Sequence, residues 1–433
     1  MLVLWRILAC VLALILIGPG SEAAAQVAPA PSLFTAARAR GPANEMLGLS
    51  PETVGAVAYV TLSPAIATML RARSRAPERL AITLPGGSVT CAFHAHPRPR
   101  GMLLLEGTAI GDEPDSRCNL VVDRGQVTGE IDIASGRHEI VPLGPGPTHA
   151  VVELKTEAFP DEIDTEVDAD EPINRIWPAN TPLCDVKPQP GQRPKAFGPL
   201  KVMIVYTPAA RASSPNILAD IELIVNQTRQ ALSLQRTGGN FSIAVELVHA
   251  EEISYVESDV TTDRDRLLGG HDPVFRMVHA LRDRYRADVV HMLVKKDRSR
   301  RDHCGIAKSN PSLRSELAFS VSDRECALHS YAAVHEIGHS LGLEHDRYVA
   351  REDRQHPGDF NFGYVALEQR FNTVMAYSRQ CRDRGVKCLP VLYFSSPNIL
   401  HKGVPIGRPL SDPDAAYNLE QLCRAAPIAT RFR

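Results

Sequence analysis

The segment HEIGHSLGLEHD, residues 335–346, restricts the fold more than any other part of the chain. His335 and His339 are four residues apart, so on an α-helix their side chains project from one face about one turn apart. Two imidazoles in that arrangement can bind one Zn²⁺ ion. Glu336 follows the first histidine and could face a water molecule at the metal, where it would act as general base and then as general acid.

A third histidine defines the kind of metal site that the segment predicts. Gly342 comes three residues after His339, where a glycine can take the left-handed backbone conformation that ends a helix. His345 could then reach the metal from outside the helix. Three neutral nitrogens and one open position are typical of a catalytic zinc, whereas a structural zinc has four protein ligands. The alternative interpretation is an amphipathic helix with solvated histidines.

The full string H-E-x-x-H-x-x-G-x-x-H is the metzincin signature, and other segments extend this resemblance. From about Pro199 to its end the chain resembles the metzincin metallopeptidases, and within them the reprolysin-like group, which includes bacterial secreted peptidyl-Asp endopeptidases. The segments that carry the resemblance are CGIA from Cys304, AFSVSDRECA, TVMAYS and LYFSSPNILHKGVPIG. The resemblance implies a secreted zinc endopeptidase acting on proteins or peptides. It also implies an α/β (α+β) catalytic domain with a twisted mixed sheet, an active-site helix and an irregular C-terminal subdomain.

Two residues after the histidines take their expected roles from this resemblance. Met375 lies thirty residues after His345 and corresponds to the methionine that packs beneath the metal in the family. Tyr377 follows two residues later, where some metzincins have a tyrosine that stabilises an oxyanion and reprolysin-like relatives generally do not. Tyr377 is therefore a catalytic candidate. The sequence leaves the binding of structural calcium open.

The chain is predicted to have three parts. Residues 1–25 have an apolar core too short to cross a bilayer, then small residues, which is typical of a signal peptide cleaved after Ala25. From about residue 55 to 160 the sequence alternates as β-strands around turns such as PGGS and ASG and lacks catalytic groups. The resemblance implies that residues 26–198 are a propeptide that could inhibit the enzyme. Seven acidic residues among residues 161–171 and a Pro/Gly-rich stretch mark its end, and residues 199–433 alternate strands and helices as the catalytic domain.

Eight cysteines remain after the predicted signal peptide, an even number that suggests disulfides in an exported protein. Local spacing favours Cys91 with Cys118, Cys304 with Cys326 and Cys381 with Cys388. Two interpretations of Cys184 stay open. It could pair with Cys423, or it could block the zinc as a propeptide thiolate, as in several metzincins.

The remaining features favour no other activity. The net charge of −2 gives no general attraction to nucleic acid, and no later segment is long enough to span a membrane. The basic run 295–304 is interpreted as a solvated loop, although it could attract acidic substrates. Four further histidines have no metal-binding spacing: His303, His329, His356 and His401. The alternatives to an enzyme are an inactive binding protein with the same fold and a secreted protein whose N-terminal half carries the function.

Overall fold

The computed structural model describes residues 29–37, 47–72, 78–160, 177–178, 181–296, 303–350, 355 and 358–433. The predicted signal peptide, the acidic run 161–171 and His356 lie outside these residues, as do residues 297–302 of the basic run. Within the described ranges, no helix has the length and apolar character needed to cross a membrane.

The N-terminal unit, in its described part, consists of one sheet of nine antiparallel strands and one helix. The elements are β1 (Phe34–Ala36), β2 (Val54–Leu62), α1 (Pro64–Ala72), β3 (Arg79–Leu84), β4 (Gly87–Pro97), β5 (Leu103–Ala109), β6 (Arg117–Asp123), β7 (Gln126–Ile133), β8 (Gly136–Pro142) and β9 (Thr148–Leu154). The strand order is β1-β2-β9-β8-β7-β6-β5-β4-β3. The predicted hairpin turns fall between β3 and β4 and between β7 and β8, so the mostly β prediction for this region is confirmed.

The two edge strands of this sheet meet, so the sheet curls around its own core. The Leu33 N–H donates to the Ala81 carbonyl at 2.8 Å, and the Ala81 N–H donates to the Pro31 carbonyl at 3.0 Å. Alternate side chains point into the core, which explains the period-two pattern in the sequence. The disulfide Cys91–Cys118 joins β4 to β6 inside that core.

The second unit is built on a five-stranded, mostly parallel sheet with helices on both faces. Its elements are β10 (Lys195–Tyr206), α2 (Pro208–Ala212), α3 (Ile217–Ala231), β11 (Phe241–Glu252), α4 (Val260–Gly269), α5 (Pro273–Tyr285), β12 (Val289–Val294), β13 (Gly305–Ala307), β14 (Phe319–Asp323), α6 (Arg324–His329) and α7 (Ala332–Ser340). The order is β11-β10-β12-β14-β13, and β13 runs antiparallel to β14 at the edge. The predicted α/β class is therefore confirmed.

Alternate residues of β10 divide the core of this unit into two layers. Val202 and Ile204 pack with α3 and α7, whereas Met203 and Val205 pack with α4 and α5. A strand covered by helices on both faces must be apolar on both sides, which explains the continuous apolar run in this segment. The layer with α3 and α7 is the one that holds the histidine segment.

After α7 the described residues form mostly short elements and then a twelve-residue helix. They are β15 (Glu344–Asp346), β16 (Phe362–Gly363), β17 (Val365–Ala366), β18 (Phe371–Asn372), α8 (Arg379–Asp383), β19 (Leu389–Pro390), β20 (Leu400–His401), β21 (Val404–Pro405) and α9 (Asn418–Ala429). The disulfides Cys381–Cys388 and Cys304–Cys326 form as local spacing predicted. Cys184 is bonded to Cys423 on α9, which selects one of the two interpretations of Cys184.

The predicted boundary between residues 198 and 199 falls inside β10. Lys195–Phe197 already pair with Phe241–Ile243, and the ring of Phe197 lies edge-on to that of Phe241 with centroids 6.2 Å apart. Gly198 and Pro199 lie at a shift in the strand register between Phe197 and Leu200. Glycine and proline are tolerated at such a bulge, so here they mark an irregular strand and not a linker.

Candidate metal centre

Helix α7 brings the first two histidines together. Its core-facing side chains are Val334 and Ile337, and His335 and His339 project from another face with their Nε2 atoms 3.0 Å apart. Each Nδ1 is held by a backbone carbonyl: His335 donates to Val374 and His339 donates to Leu343, both at 2.8 Å. A ring that donates through Nδ1 keeps an Nε2 lone pair when it is neutral, which is the form that binds a metal.

Gly342 ends the helix and redirects the chain toward the same point. Its φ is +82°, and a side chain here would meet the Gln421 amide, with the added Cβ 2.6 Å from Nε2. After this turn, His345 on β15 places its Nε2 3.0 Å from that of His339 and 3.2 Å from that of His335. Among the described residues, these three histidines form the one cluster with the geometry to hold a metal ion.

The spacing of the three nitrogens suits ligands of one divalent metal ion better than direct contacts between bare imidazoles. All three rings are buried, and burial together with the neighbouring His335 lowers the pKa of His339 well below its usual value. In their neutral form the three rings would direct Nε2 lone pairs at one point, which is unfavourable unless a cation accepts them. Nitrogens at 2.0–2.1 Å from a tetrahedral zinc lie roughly 3.3 Å apart, close to the distances in this cluster.

Met375 packs directly against α7 beneath the cluster. Its Sδ lies where a side chain on Gly338 would start, 2.5 Å from the position of an added Cβ. The backbone of Met375 and Ala376 similarly excludes a side chain at Gly363. Glycine inside a helix lowers the stability of the helix by about 1 kcal/mol relative to alanine. Gly338 was therefore a signal in the sequence that another segment packs closely against α7. The spacing of the histidines did not reveal this contact.

Tyr377 lies at the histidine cluster. Its hydroxyl oxygen is 2.8 Å from the Nε2 atom of His345, and its ring stacks on that of His335 at 5.7 Å. The Tyr377 N–H donates to the carboxylate of Asp346 at 2.9 Å. Burial raises the pKa of Asp346 to about 6. Sequence reasoning used Asp346 only as part of the motif and did not identify this contact.

Glu336 is buried beside the histidines, 1% exposed, and its carboxylate lies against β13 at the edge of the sheet. Cys184 is not at this site as a thiol: its sulfur is bonded to Cys423, and a disulfide sulfur cannot also bind zinc as a thiolate. His329 and His401 pair instead with Glu139 and Asp115.

The fold and the histidine cluster define a metallopeptidase. Residues 218–346, from α3 to the third histidine, match the family described as "Metallo-peptidase family M12B Reprolysin-like". This part of the chain is similar to the reprolysin-like metallopeptidases, and the chain is a metalloendopeptidase, a hydrolase of peptide bonds.

Curated relatives extend the similarity over most of the chain. One is the peptidyl-Asp metalloendopeptidase of Stenotrophomonas maltophilia (strain R551-3), 29% identical over 404 residues that cover 90% of each chain. Another of the same name, from Xanthomonas campestris pv. campestris, is 27% identical and covers 69% of this chain and 67% of the relative. A solved structure of metalloproteinase-II from Bacteroides fragilis is 12% identical with a TM-score of 0.37, over 62% of this chain and 81% of that one. A likeness this weak supports no inference.

Proposed function

We propose that the protein is a zinc-dependent endopeptidase in which His335, His339 and His345 bind one Zn²⁺ ion. The observation that carries the proposal is the convergence of three buried Nε2 atoms within 3.2 Å of one another, with two of the rings oriented by backbone carbonyls. Three nitrogen ligands leave a fourth position open, as a catalytic site requires.

The residues around the ion have separate tasks. Zinc, when bound, supplies Lewis-acid activation of water and of the scissile carbonyl. Glu336 takes a proton from the attacking water and delivers it to the leaving amine, and its burial at the cluster suits both transfers. The Tyr377 hydroxyl is near enough to donate a hydrogen bond to an oxyanion, and Met375 supports the histidines from below.

We further propose that the chain is exported through residues 1–25 as a signal peptide, and that the N-terminal unit, within residues 26–198, is a propeptide. Four disulfides in the described residues fit an oxidising compartment. Contacts of N-terminal residues with both ends of α7 support an inhibitory role. Phe159 packs beside Ala332 at the helix start, and Trp177 donates at 2.9 Å to Gln421, which lies against Gly342.

Part of the surface between the two units is polar, although Met102, Leu104 and Val121 of the N-terminal unit belong to the same apolar cluster as residues of α3. Tyr331, just before α7, donates its hydroxyl to Asp132 at 2.7 Å and accepts hydrogen bonds from Arg117 and Arg137. Gln227 on α3 donates to Glu130 at 2.6 Å. The polar part of this surface resembles the interfaces of transient complexes, which fits eventual release of the N-terminal unit.

The disulfide Cys184–Cys423 constrains where processing can free the enzyme. The carboxylate of Glu420 accepts the N–H groups of Cys184 and Asp185, and Asn240 donates to the Asp185 carboxylate at 2.8 Å. Residues 181–186 are thus fastened to the second unit. The basic residues Lys187, Arg193 and Lys195 could be cut by a processing protease. A cut at any of them would leave the propeptide attached to the enzyme through the disulfide, so release requires a cut before Cys184. Intact mass of the processed enzyme, with and without reductant, tests this: a reductant-released propeptide fragment would contradict a cut before Cys184.

The name of the relatives suggests a preference for aspartate in the substrate. The segment after Tyr377, which includes α8, is positively charged in keeping with this, with exposed Arg379, Arg382, Arg384 and Lys387. Lys387 pairs with Glu157 of the N-terminal unit at 2.8 Å. We propose that acidic peptides are preferred.

The test is cleavage of a peptide library by the processed enzyme, with Glu336→Gln and a zinc chelator as controls. We expect cleavage that both controls abolish, with acidic residues enriched at the cut sites. A folded, zinc-loaded wild type that cuts nothing would instead favour an inactive binding protein. Zinc content measured in both proteins separates loss of metal from loss of the general base.

A further inference from the structure

Gly305, the first residue of the edge strand β13, lies directly against the carboxylate of Glu336. A Cβ added to Gly305 would be 2.7 Å from Oε1 of Glu336 and 3.1 Å from its Cγ. It would also be 3.1 Å from Cβ of Ser322, the residue paired with Gly305 across the sheet. The room that a side chain would need is therefore filled by the proposed general base.

The glycine is not required by the backbone. Gly305 does not have a positive φ, so any residue could adopt its conformation. A glycine within a strand lowers stability, because it loses more chain entropy on folding and packs no side chain. Because the backbone does not require glycine at position 305, the loss of stability suggests that a neighbouring group has to lie close to this strand.

The strand cannot easily withdraw from Glu336. Cys304, immediately before Gly305, is bonded to Cys326 on α6, and its carbonyl accepts the Asp323 N–H at 2.8 Å. Helix α6 leads directly into α7, which carries Glu336. A side chain at position 305 would therefore displace the most adjustable neighbour, which is the end of the Glu336 side chain.

We infer that Gly305 is a positioning residue, whose missing side chain lets the Glu336 carboxylate lie against β13 in its working position. The inference rests on the proposed role of Glu336 as general base. A substitution at Gly305 can therefore separate the position of the Glu336 carboxylate from the integrity of the fold and of the histidine cluster. Gly305→Ala should leave the fold and the histidine cluster intact while it moves the carboxylate.

The experiment compares Gly305→Ala with Gly198→Ala, both expressed as the full chain and allowed to mature. Gly198 lies in β10 of the same sheet, has no positive φ and has nothing within 4 Å of an added Cβ, so it is a matched control. We expect Gly305→Ala to lower kcat by about 10- to 100-fold, because a displacement of about 1 Å can reduce a rate by about 100-fold. KM, zinc content and Tm should stay at the values of Gly198→Ala.

Two further measurements decide whether Gly305 acts through Glu336. In a Glu336→Gln background, Gly305→Ala should have no additional effect on the residual rate, whereas a general structural defect would lower it again. A crystal structure of the zinc-loaded variant should show the carboxylate moved away from β13. Unchanged kcat in Gly305→Ala, or a loss that follows zinc content or Tm, would overturn the inference. If Glu336→Gln itself remained active, the proposed function would fail instead.

Discussion

Tyr377 and Asp346 connect the third histidine to the loop that follows Met375. Asp346 comes directly after His345 and accepts the N–H of Tyr377 at 2.9 Å, while the Tyr377 hydroxyl oxygen lies 2.8 Å from His345 Nε2. One carboxylate thus holds the backbone whose side chain reaches the cluster. This arrangement makes Tyr377 a residue whose hydroxyl can be tested apart from its ring.

Tyr377→Phe removes that hydroxyl and keeps the ring that stacks on His335. If the hydroxyl stabilises the oxyanion, kcat should fall by about 100-fold with little change in KM, because the interaction forms mainly in the transition state. Steady-state kinetics with zinc analysis would measure this. A variant with wild-type kcat would show that Tyr377 has only a packing role.

His291 is a second residue that can be tested, through the pH dependence of stability and not through catalysis. It is fully buried on β12, where its two ring nitrogens lie 2.8 Å from the hydroxyls of Ser320 and Ser322. Burial lowers its pKa to about 3. The folded protein therefore keeps this ring neutral at pH values where the unfolded chain protonates it.

The sign of the pH effect follows from this difference. The stabilising contribution of neutral His291 is complete above the unfolded pKa of about 6.5 and is lost as the pH falls toward 3, by about 1.4 kcal/mol per pH unit. His291→Gln, which does not titrate, should reduce the fall in unfolding free energy between pH 6.5 and 4. Denaturant titrations at several pH values would measure it. Equal slopes for variant and wild type would contradict the prediction.

At the level of elements, α7 and the Met375 loop form a close-packed pair that depends on Gly338. Gly338→Ala would gain about 1 kcal/mol of helix propensity but would force Met375 aside, and overpacking typically lowers stability by about 1–3 kcal/mol. We expect a net loss of stability and reduced zinc retention. In a Met375→Ala background the same substitution should be neutral or stabilising, which thermal unfolding of the four proteins would test. Additive effects would exclude the packing explanation.

Period and spacing predicted the elements that carry strong local signals. The alternation in residues 79–97 and 126–142 gave hairpins in the expected places, and the histidine segment predicted a helix followed by a turn at Gly342. The domain boundary was placed inside β10 because Gly198 and Pro199 are ordinary linker residues in a local view. Only the pairing with β11, more than forty residues away, identifies them as a bulge.

The parts of the site that sequence reasoning missed are contacts between distant segments. Gly305, Gly338 and the Val374 carbonyl each matter because another strand or loop approaches them. Such approaches leave only a weak trace in one sequence, as a glycine in a helix or strand where another residue would be more stable. The carbonyl leaves no trace at all, because every residue has one.

At the level of the whole molecule, the two units are joined by buried charged groups around Tyr331. Arg137 contacts the Tyr331 hydroxyl and also donates to the His329 carbonyl, both on the second unit, while Asp132 accepts from Tyr331. Removing one partner from such a network weakens it strongly, because the remaining polar groups stay buried without compensation. The free energy that keeps the N-terminal unit on the second unit should therefore depend strongly on the hydroxyl group of Tyr331.

Tyr331→Phe tests this sensitivity, with Tyr255→Phe as a matched control. The Tyr255 hydroxyl also donates to a carboxylate at 2.7 Å, that of Asp263, but entirely within the second unit. Losing the Tyr331 hydroxyl should weaken the contact between units by about 1–3 kcal/mol, which corresponds to an increase of about 5- to 150-fold in the population of separated units. Hydrogen exchange in β6–β8 and peptide cleavage by the unprocessed chain should both rise in Tyr331→Phe and stay unchanged in Tyr255→Phe. If exchange rises without cleavage, the N-terminal unit separates without controlling access to the site, and its role as an inhibitor would have to be abandoned.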